Sequence, residues 1–371
     1  MNKILYISTS LSSNASGGRT LSEANLEILK ACCNTDIRVL SVGRVNTKYI
    51  NITSTSNTFQ TALANLRLYS GCLHKNAFDA IINEIAGEKP SILYFDTSLF
   101  GRLALAVNKL FPEIKIITLF QNIEFDFKLQ CYSGIKRILY TPAIFSDWMN
   151  ERWAIRYSET IVALHKNDSI RLQQIYGRKA DFIHPICIAS NIVETAISSI
   201  NPHKLPDEYI LFVGSAFPPN LEAIKFLCDK VMPYLDIHLI VVGSNLENYR
   251  QMFSANNVSV IGSVSDLTPF YDNAKLVVTP IFTGAGMKVK IAEALMHGKC
   301  VIGSKFSLIG YEKAVDRGVC IVANSANDYV EFIKNYKTSS AVKLLAKELF
   351  LQEFSLSAGI TRMKYILGMV T

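Results

Sequence analysis

Short, wholly apolar runs alternate along this chain with longer stretches in which apolar residues recur at helical spacing. In the second half, EYILFVGS (208–215) and IHLIVVGS (237–244) are apolar runs that end at a glycine, and the intervening PPNLEAIKFLCDKVMPYL has a helical period. NLENYRQMFSANN, VSVIGSV, a short helix from Asp266 and KLVVTP continue the alternation. Strands apolar at every position, separated by helices, predict a parallel sheet covered on both faces. The first half follows the same logic: NKILYIST, SILYFDTS, IKIITLF and ETIVALH read as buried strands, and LSEANLEILKACC as a helix with an apolar stripe. Thr20 and Glu23 stand at capping-box spacing, which predicts that this first helix starts just after Gly17 and Gly18.

The pattern therefore predicts an α/β chain of two Rossmann-like domains. Two prolines in NPHKLPDE (201–208) interrupt it, so the first domain is expected over 1–203 and the second over 204–350. Two helical stretches close the chain after about residue 340, and the last, 351–371, is expected to pack back on the first domain. A length of 371 residues with 49% hydrophobic and 19% charged positions suits two full cores.

The net charge of +7 lies mainly in the first half. That suits anionic small molecules or an anionic membrane surface, whereas a nucleic-acid binder would show a denser basic stripe. The eight cysteines have neither a CxxC nor a Cys/His ligand spacing. They read as buried thiols in a reducing compartment. With no signal-peptide pattern after MNKILYISTS and no membrane-length apolar run, a cytoplasmic protein is expected.

Candidate chemistry concentrates in TPIFTGAGMKVKIAEALMHGKCVIGS, residues 279–304. A strand ends, Gly284, Ala285 and Gly286 turn the chain, and a helix is expected from about Met287. A helix N-terminus offers unpaired N–H groups and a partial positive charge, and glycines let an anion approach the backbone. Lys288 and Lys290 add charge for more than one phosphate. Glu293 falls on the helical face of Lys290, where the usual task of a carboxylate beside a nucleotide is to accept from ribose hydroxyls. A nucleotide-diphosphate compound is implied. GAGMKV lacks the third glycine of the dinucleotide fingerprint, and the Walker and kinase patterns are absent. Taken alone, a single Gly-x-Gly is more often an ordinary turn with solvated lysines.

The surroundings make the signal specific. The run from Val278 to Gly303, with its Gly-Ala-Gly turn, Lys290, Glu293-Ala294 and Gly298, resembles the donor-binding segment of family 4 glycosyltransferases, in the subset with a Gly-Ala-Gly turn. FVGSAFPPNLEAIKFLCDKVMP is similar to the first strand and helix of their C-terminal domain. FQNIEFDF resembles the His-Asn-Val-Glu motif of the N-terminal domain, and SNASGGRT its glycine-rich first loop. The resemblance implies a GT-B architecture, two Rossmann-like domains facing a central cleft, and a retaining, metal-independent transfer of a hexose-type sugar with no cofactor beyond the nucleotide-diphosphate sugar itself. The acceptor it implies is a saccharide or lipid-linked saccharide, in bacterial surface polysaccharide, capsule, lipopolysaccharide or glycolipid synthesis.

Carried over by position, Gly284, Ala285, Gly286 and Met287 would meet the diphosphate, Lys290 would counter its charge with Lys288 as an auxiliary, and Glu293 would hold the ribose. Gly214 lies at the end of the first strand of that domain, Ser263 and Val264 near the base, and Gly17, Gly18 and Arg19 against the donor phosphate or sugar. Gln121, Glu124 and Gly18 would face the reacting sugar or the acceptor. The chain departs from the pattern at Thr283, where many relatives carry a glutamate, and at Gln121, which replaces histidine and donates a hydrogen bond without carrying charge.

Other residues have two readings each. Asp126 reads as loop solvation or an acceptor contact, His165 as a cleft residue or a structural one, and His184 and His297 as structural. The segment 135–157, with both tryptophans and Lys136, Arg137, Arg152 and Arg156, reads either as core packing or as a peripheral membrane face. A nucleotide-sugar epimerase of the same fold and a non-catalytic partner subunit stay open as alternatives.

Overall fold

A computed structural model of the protein describes residues 3–13, 17–32, 36–70, 73–189, 205–253 and 255–369. They form two compact units. The first runs to Cys187 and takes up the chain again at Leu356, and the second spans Ile188–Ser355. The break expected between residues 203 and 204 lies outside the described residues, as do Asn14, Ala15 and Ser16 of the first loop.

In the first unit, β1 (Ile4–Ser8), β2 (Ile37–Gly43), β3 (Ile50–Thr53), β4 (Ile92–Phe95), β5 (Lys115–Phe120), β6 (Thr160–Ala163) and β7 (Phe182–Ile183) form one sheet in the order β3-β2-β1-β4-β5-β6-β7. Every pairing is parallel, with Ile4 opposite both Ile37 and Ile92. The strands are apolar on both faces because helices cover both, which leaves β1 and β4 wholly buried. Tyr6 and Tyr94 stack at 5.4 Å across these two strands.

The second unit repeats the plan with β8 (Tyr209–Val213), β9 (His238–Val242), β10 (Val258–Gly262), β11 (Leu276–Thr279), β12 (Val301–Gly303) and β13 (Cys320–Val322), in the order β10-β9-β8-β11-β12-β13. All its pairings are parallel too. Its core gathers Phe212, Ile224, Val241, Val278 and Ile302.

The first helix differs from the sequence expectation. It begins at Gly17 and runs to Cys32, so Thr20 lies within its first turn and does not cap it. Glu23 instead pairs with Arg19 one turn away at 2.9 Å. The last helix, Leu356–Ile366, lies against this first one so closely that a Cβ on Gly359 would stand 2.4 Å from Cδ1 of Ile28. Of the six described cysteines, Cys187, Cys300 and Cys320 are buried, but Cys131 is exposed and departs from the buried-thiol expectation, because the helix that carries it has no buried residue.

That helix, Glu124–Cys131, is anchored from its N-terminal end. Glu151, buried in the helix Thr141–Tyr157, accepts the Glu124 N–H at 2.7 Å and the Phe125 N–H at 3.3 Å. It also accepts the Tyr176 hydroxyl at 2.7 Å and the Ser98 hydroxyl at 3.0 Å. Burial pushes the pKa of Glu151 up against the pull of these donors. Without the carboxyl group, two N–H groups at a helix start lose their partner. Glu151→Ala is expected to lower unfolding free energy by about 3 kcal/mol in denaturant melts and to speed hydrogen exchange of the Glu124–Cys131 amides ahead of the β-sheet.

Candidate active site

In both sheets the strand order reverses beside the first strand, between β1 and β4 and between β8 and β11. Chains leave these neighbouring strands in diverging directions, which opens a crevice at their carboxyl ends. The residues singled out in the sequence as donor-binding follow β1, β8 and β11, except Ser263 and Val264, which follow β10 at the edge of the second sheet.

In the second unit Gly214 comes directly after β8, and Gly284, Ala285 and Gly286 follow β11 by a short irregular segment. The backbone there requires glycine, with φ +119° at Gly284 and +62° at Gly286. The next helix spans Val289–Met296, two residues later than expected. Lys288 occupies its N-cap in extended conformation because its ammonium turns back on the loop, donating to the carbonyls of Ala285 at 3.1 Å and Gly286 at 2.6 Å. Its own carbonyl accepts the Tyr311 hydroxyl at 2.7 Å, and its Nζ lies 4.7 Å from the Phe306 ring centre. Lys288 thus braces the turn by occupying two of its carbonyls. Met287 is buried, with Gly310 so near that a Cβ there would stand 2.7 Å from its Cε.

Lys290 sits on the first turn of the helix. Its Nζ donates to Oδ1 of Asn220 at 2.9 Å and stands 4.5 Å from the Phe212 ring centre. Burial pulls its pKa down to about 7, the positive charge of Lys288 adds to the fall, and Glu293 opposes it. Gly214 makes room for this pair, since a Cβ there would stand 2.8 Å from the Lys290 ammonium and 2.9 Å from the Asn220 amide. Glu293 accepts the Tyr271 hydroxyl at 2.9 Å, and burial raises its pKa. Thr283 is exposed, its hydroxyl 3.4 Å from Glu222. Ser263, after β10, donates its N–H to Glu247 at 2.6 Å, and Val264 follows it half-buried.

In the first unit the helix bearing Gly17, Gly18 and Arg19 follows β1. Gly17 is exposed, and among the described residues a Cβ on Gly18 would come nearest to Oε1 of Gln121 and the Ser10 hydroxyl, each at 3.5 Å. Gly18 and Gln121 are therefore neighbours. The Gln121 amide, expected to donate to a sugar hydroxyl, is bonded instead to the Asp96 carbonyl at 2.8 Å and to the Ser22 hydroxyl at 3.3 Å. Asp96 was not a sequence candidate. It lies one residue past β4, fully buried, accepting from Ser8 at 2.9 Å and from the Ser22 hydroxyl, and burial raises its pKa to about 6. Arg19 donates to the Ser13 carbonyl at 3.1 Å as well as pairing with Glu23.

Glu124 begins its helix and accepts from Asn122 at 3.2 Å, and burial raises its pKa. Asp126 forms a two-pronged pair with Arg171 at 2.6 and 2.9 Å, a structural role. His165 caps the helix Lys166–Tyr176 by accepting the Asp168 N–H at 3.2 Å. His297 pairs with Asp272 at 2.8 Å and stacks on Tyr271, whereas the ring of buried His184 has no hydrogen-bond partner among the described residues and burial pulls its pKa down to about 3. Among the described residues no group of three or more His, Cys, Asp or Glu is placed to hold a metal ion.

The sequence reading missed Asn220, Tyr271, Asp96 and Glu247. Asn220 stood in the quoted Pro-Pro-Asn helix start without a role, and the others had no local signal.

Comparison with known proteins sets this geometry beside one family. A family model described as Glycosyl transferases group 1 matches residues 207–337, which include the Gly-Ala-Gly turn, Lys290 and Glu293. A Klebsiella pneumoniae protein described as an uncharacterized 44.6 kDa protein in cps region is 30% identical over 160 residues, 38% of this chain and 40% of that protein's length. Among solved structures, sucrose-phosphate synthase from Thermosynechococcus elongatus superposes with a TM-score of 0.76 at 14% identity, over 100% of this chain and 99% of that one. Anabaena HepE in complex with UDP does so with a TM-score of 0.70 at 14% identity over 100% of both chains. A glycosyltransferase from Rickettsia africae reaches 0.63 at 15% identity, over 99% of this chain and 98% of that one. At these identities the likeness establishes the fold, two Rossmann-like units of the GT-B type.

Proposed function

We propose that the protein transfers a sugar from a nucleotide-diphosphate donor to a saccharide or lipid-linked saccharide acceptor. The observation that carries this reading is the desolvated Lys290 ammonium beside the Gly-Ala-Gly turn, with a neutral amide as its hydrogen-bond partner and Glu293 one turn further along. Desolvation without an ion-paired partner raises the free energy of the ammonium, and an arriving phosphate lowers it. The turn adds N–H groups for the same anion, and Glu293, fixed by Tyr271, accepts from the ribose. The group 1 family match over this region and HepE, solved with UDP and with UDP-glucose, support a nucleotide-sugar donor.

In the transfer step, charge grows on the departing diphosphate as the glycosidic bond breaks. The lysine and the loop N–H groups stabilise it without reorganising. Retention of configuration, with the leaving phosphate taking the acceptor proton, follows the family resemblance, as does the assignment of Gly17, Gly18 and Glu124 to the sugar and acceptor side. The cps region in the description of the Klebsiella relative agrees with a role in surface polysaccharide synthesis. A cytoplasmic location fits a nucleotide-sugar donor.

The direct test is a panel of UDP-, GDP-, ADP- and CMP-sugars read by thermal shift and donor hydrolysis. One donor is expected to stabilise the protein, and Lys290→Ala with Glu293→Ala to abolish the shift. If no nucleotide binds the wild type, the reading is wrong.

Two finer expectations follow. Gly214→Ala presses first on the Lys290 ammonium and the Asn220 amide and displaces the pair, so it should bind the donor roughly tenfold more weakly, a loss of about 1.4 kcal/mol, in calorimetric titration. Because the free Lys290 pKa is about 7 and a bound diphosphate favours the charged form, binding takes up a proton above that pH. Donor affinity should then fall as pH rises from about 7, towards tenfold per unit, until the pKa of the complex is passed. Lys290→Met should bind weakly and lose this slope in calorimetric titrations across the same range.

A further inference from the structure

The stretch between Asp126 and Asp147 contains no acidic residue and three cations, Lys128, Lys136 and Arg137. Within it the helix Gly134–Leu139 has no buried residue. Ile135 is 83% exposed, and Ile138 and Leu139 are each 74% exposed. These three stand at i, i+3 and i+4, one face of the helix, while Lys136 and Arg137 fall on its flank and back. Phe145, half exposed on the next helix, stacks on Trp148 at 5.7 Å, and the Arg152 guanidinium lies 5.4 Å from the Trp148 ring centre.

The frame behind this face is fixed. Tyr132 and Tyr140, at the two ends of the short helix, stack face to face at 4.1 Å. Lys128 pairs with buried Asp147 at 2.6 Å, and Asp126 is taken by Arg171. The two carboxylates that bound this stretch in the sequence are therefore engaged elsewhere, and the positive charge of Lys136 and Arg137 is uncompensated by acids of their own segment.

From this placement we infer that the helix Gly134–Leu139 is a docking element for an anionic membrane surface. Ile135, Ile138 and Leu139 enter the boundary between headgroups and acyl chains, Lys136 on the flank reaches lipid phosphates, and Arg137 on the back adds to the positive field that draws the helix to an anionic surface. Charge complementarity selects this occupant over a second copy of the chain. A two-fold contact through the same face would bring the flanking Lys136 of both copies towards one another and desolvate like charges, whereas a phosphate layer neutralises this lysine and lets its stem lie along the apolar surface. The face is not the one the tryptophans suggested, since Trp148 and Trp153 are both half-buried. Among the described residues no helix is long and apolar enough to cross a membrane, so the contact is peripheral.

The inference goes beyond the sugar-transfer reading and stands without it. Flotation of the full chain is compared on vesicles of phosphatidylcholine and on vesicles of phosphatidylcholine and phosphatidylglycerol in equal parts. The protein should float with the anionic vesicles, less as salt is added. Lys136→Glu with Arg137→Glu should weaken this on the order of twentyfold, and Ile135→Ser with Ile138→Ser and Leu139→Ser by a similar factor at low salt. Both variants alter exposed side chains and should melt as wild type does.

Absence of flotation with anionic vesicles, or flotation unchanged in both variants, overturns the inference. So does a concentration-dependent dimer in sedimentation that the serine variant abolishes, because the face would then belong to a protein interface. Nucleotide-sugar binding is read on the same proteins, so that vesicle binding without any donor binding sinks the sugar-transfer reading alone.

Discussion

Parallel strands cannot be joined by tight turns, so each must be reached by a crossover, and in both units the crossovers begin at a central strand and wind outward in two directions. β1 and β4 in one sheet, and β8 and β11 in the other, are the pair from which the winding diverges. Both faces of each sheet are then filled by helices, which leaves the strand ends as the ground on which polar side chains can gather without breaking a core. Ser8 and Asp96 stand at the ends of β1 and β4, and Gly214 and the Gly-Ala-Gly turn follow β8 and β11. The location of the candidate chemistry is thus a consequence of strand order.

At the second of these places a steric choice has an electrostatic result. Because Gly214 has no Cβ, the Lys290 ammonium and the Asn220 amide can close over the end of β8. An acid in place of Asn220 would hold the lysine as a buried ion pair, content and of little use to an incoming anion. The amide satisfies one donor without countering the charge, so burial, and the positive charge of Lys288 after it, pull the pKa down to about 7 against the pull of Glu293. Lys288, which the sequence offered as a second phosphate contact, contributes differently. It is bound to two carbonyls of the turn, so it shapes the loop and repels Lys290 through space.

The strands were legible because a parallel strand buried on both faces must be apolar at every position, as in YILFV and LVVT. The glycine turn was legible for a related reason, since positive φ at Gly284 and Gly286 excludes most other residues. What local spacing could not supply was the competition for each hydrogen bond. Thr20 and Glu23 satisfy the spacing of a capping box, but Arg19 is a charged partner for Glu23 and the helix starts earlier. The spacing after Gly286 suggested a helix at Met287, but the Lys288 side chain holds the loop carbonyls and delays it to Val289. Asn220 and Lys290, or Tyr271 and Glu293, are far apart in the chain, and only the fold makes them neighbours.

The first unit shows the opposite solution at the equivalent place. Asp96 takes the hydroxyls of Ser8 and Ser22, its carbonyl takes the Gln121 amide, and Gln121 returns to Ser22, so the polar side chains close on one another. Burial raises the Asp96 pKa to about 6 in spite of these donors, which marks how completely the cluster is shielded from water. What such a cluster leaves available is backbone: the exposed Gly17, and Gly18, where an added Cβ would touch nothing closer than 3.5 Å among the described residues. A buried floor whose hydroxyls and amide already have partners, beneath two glycines, suits the uncharged hydroxyl-bearing part of a ligand. An uncompensated lysine beside a glycine turn suits its anionic part.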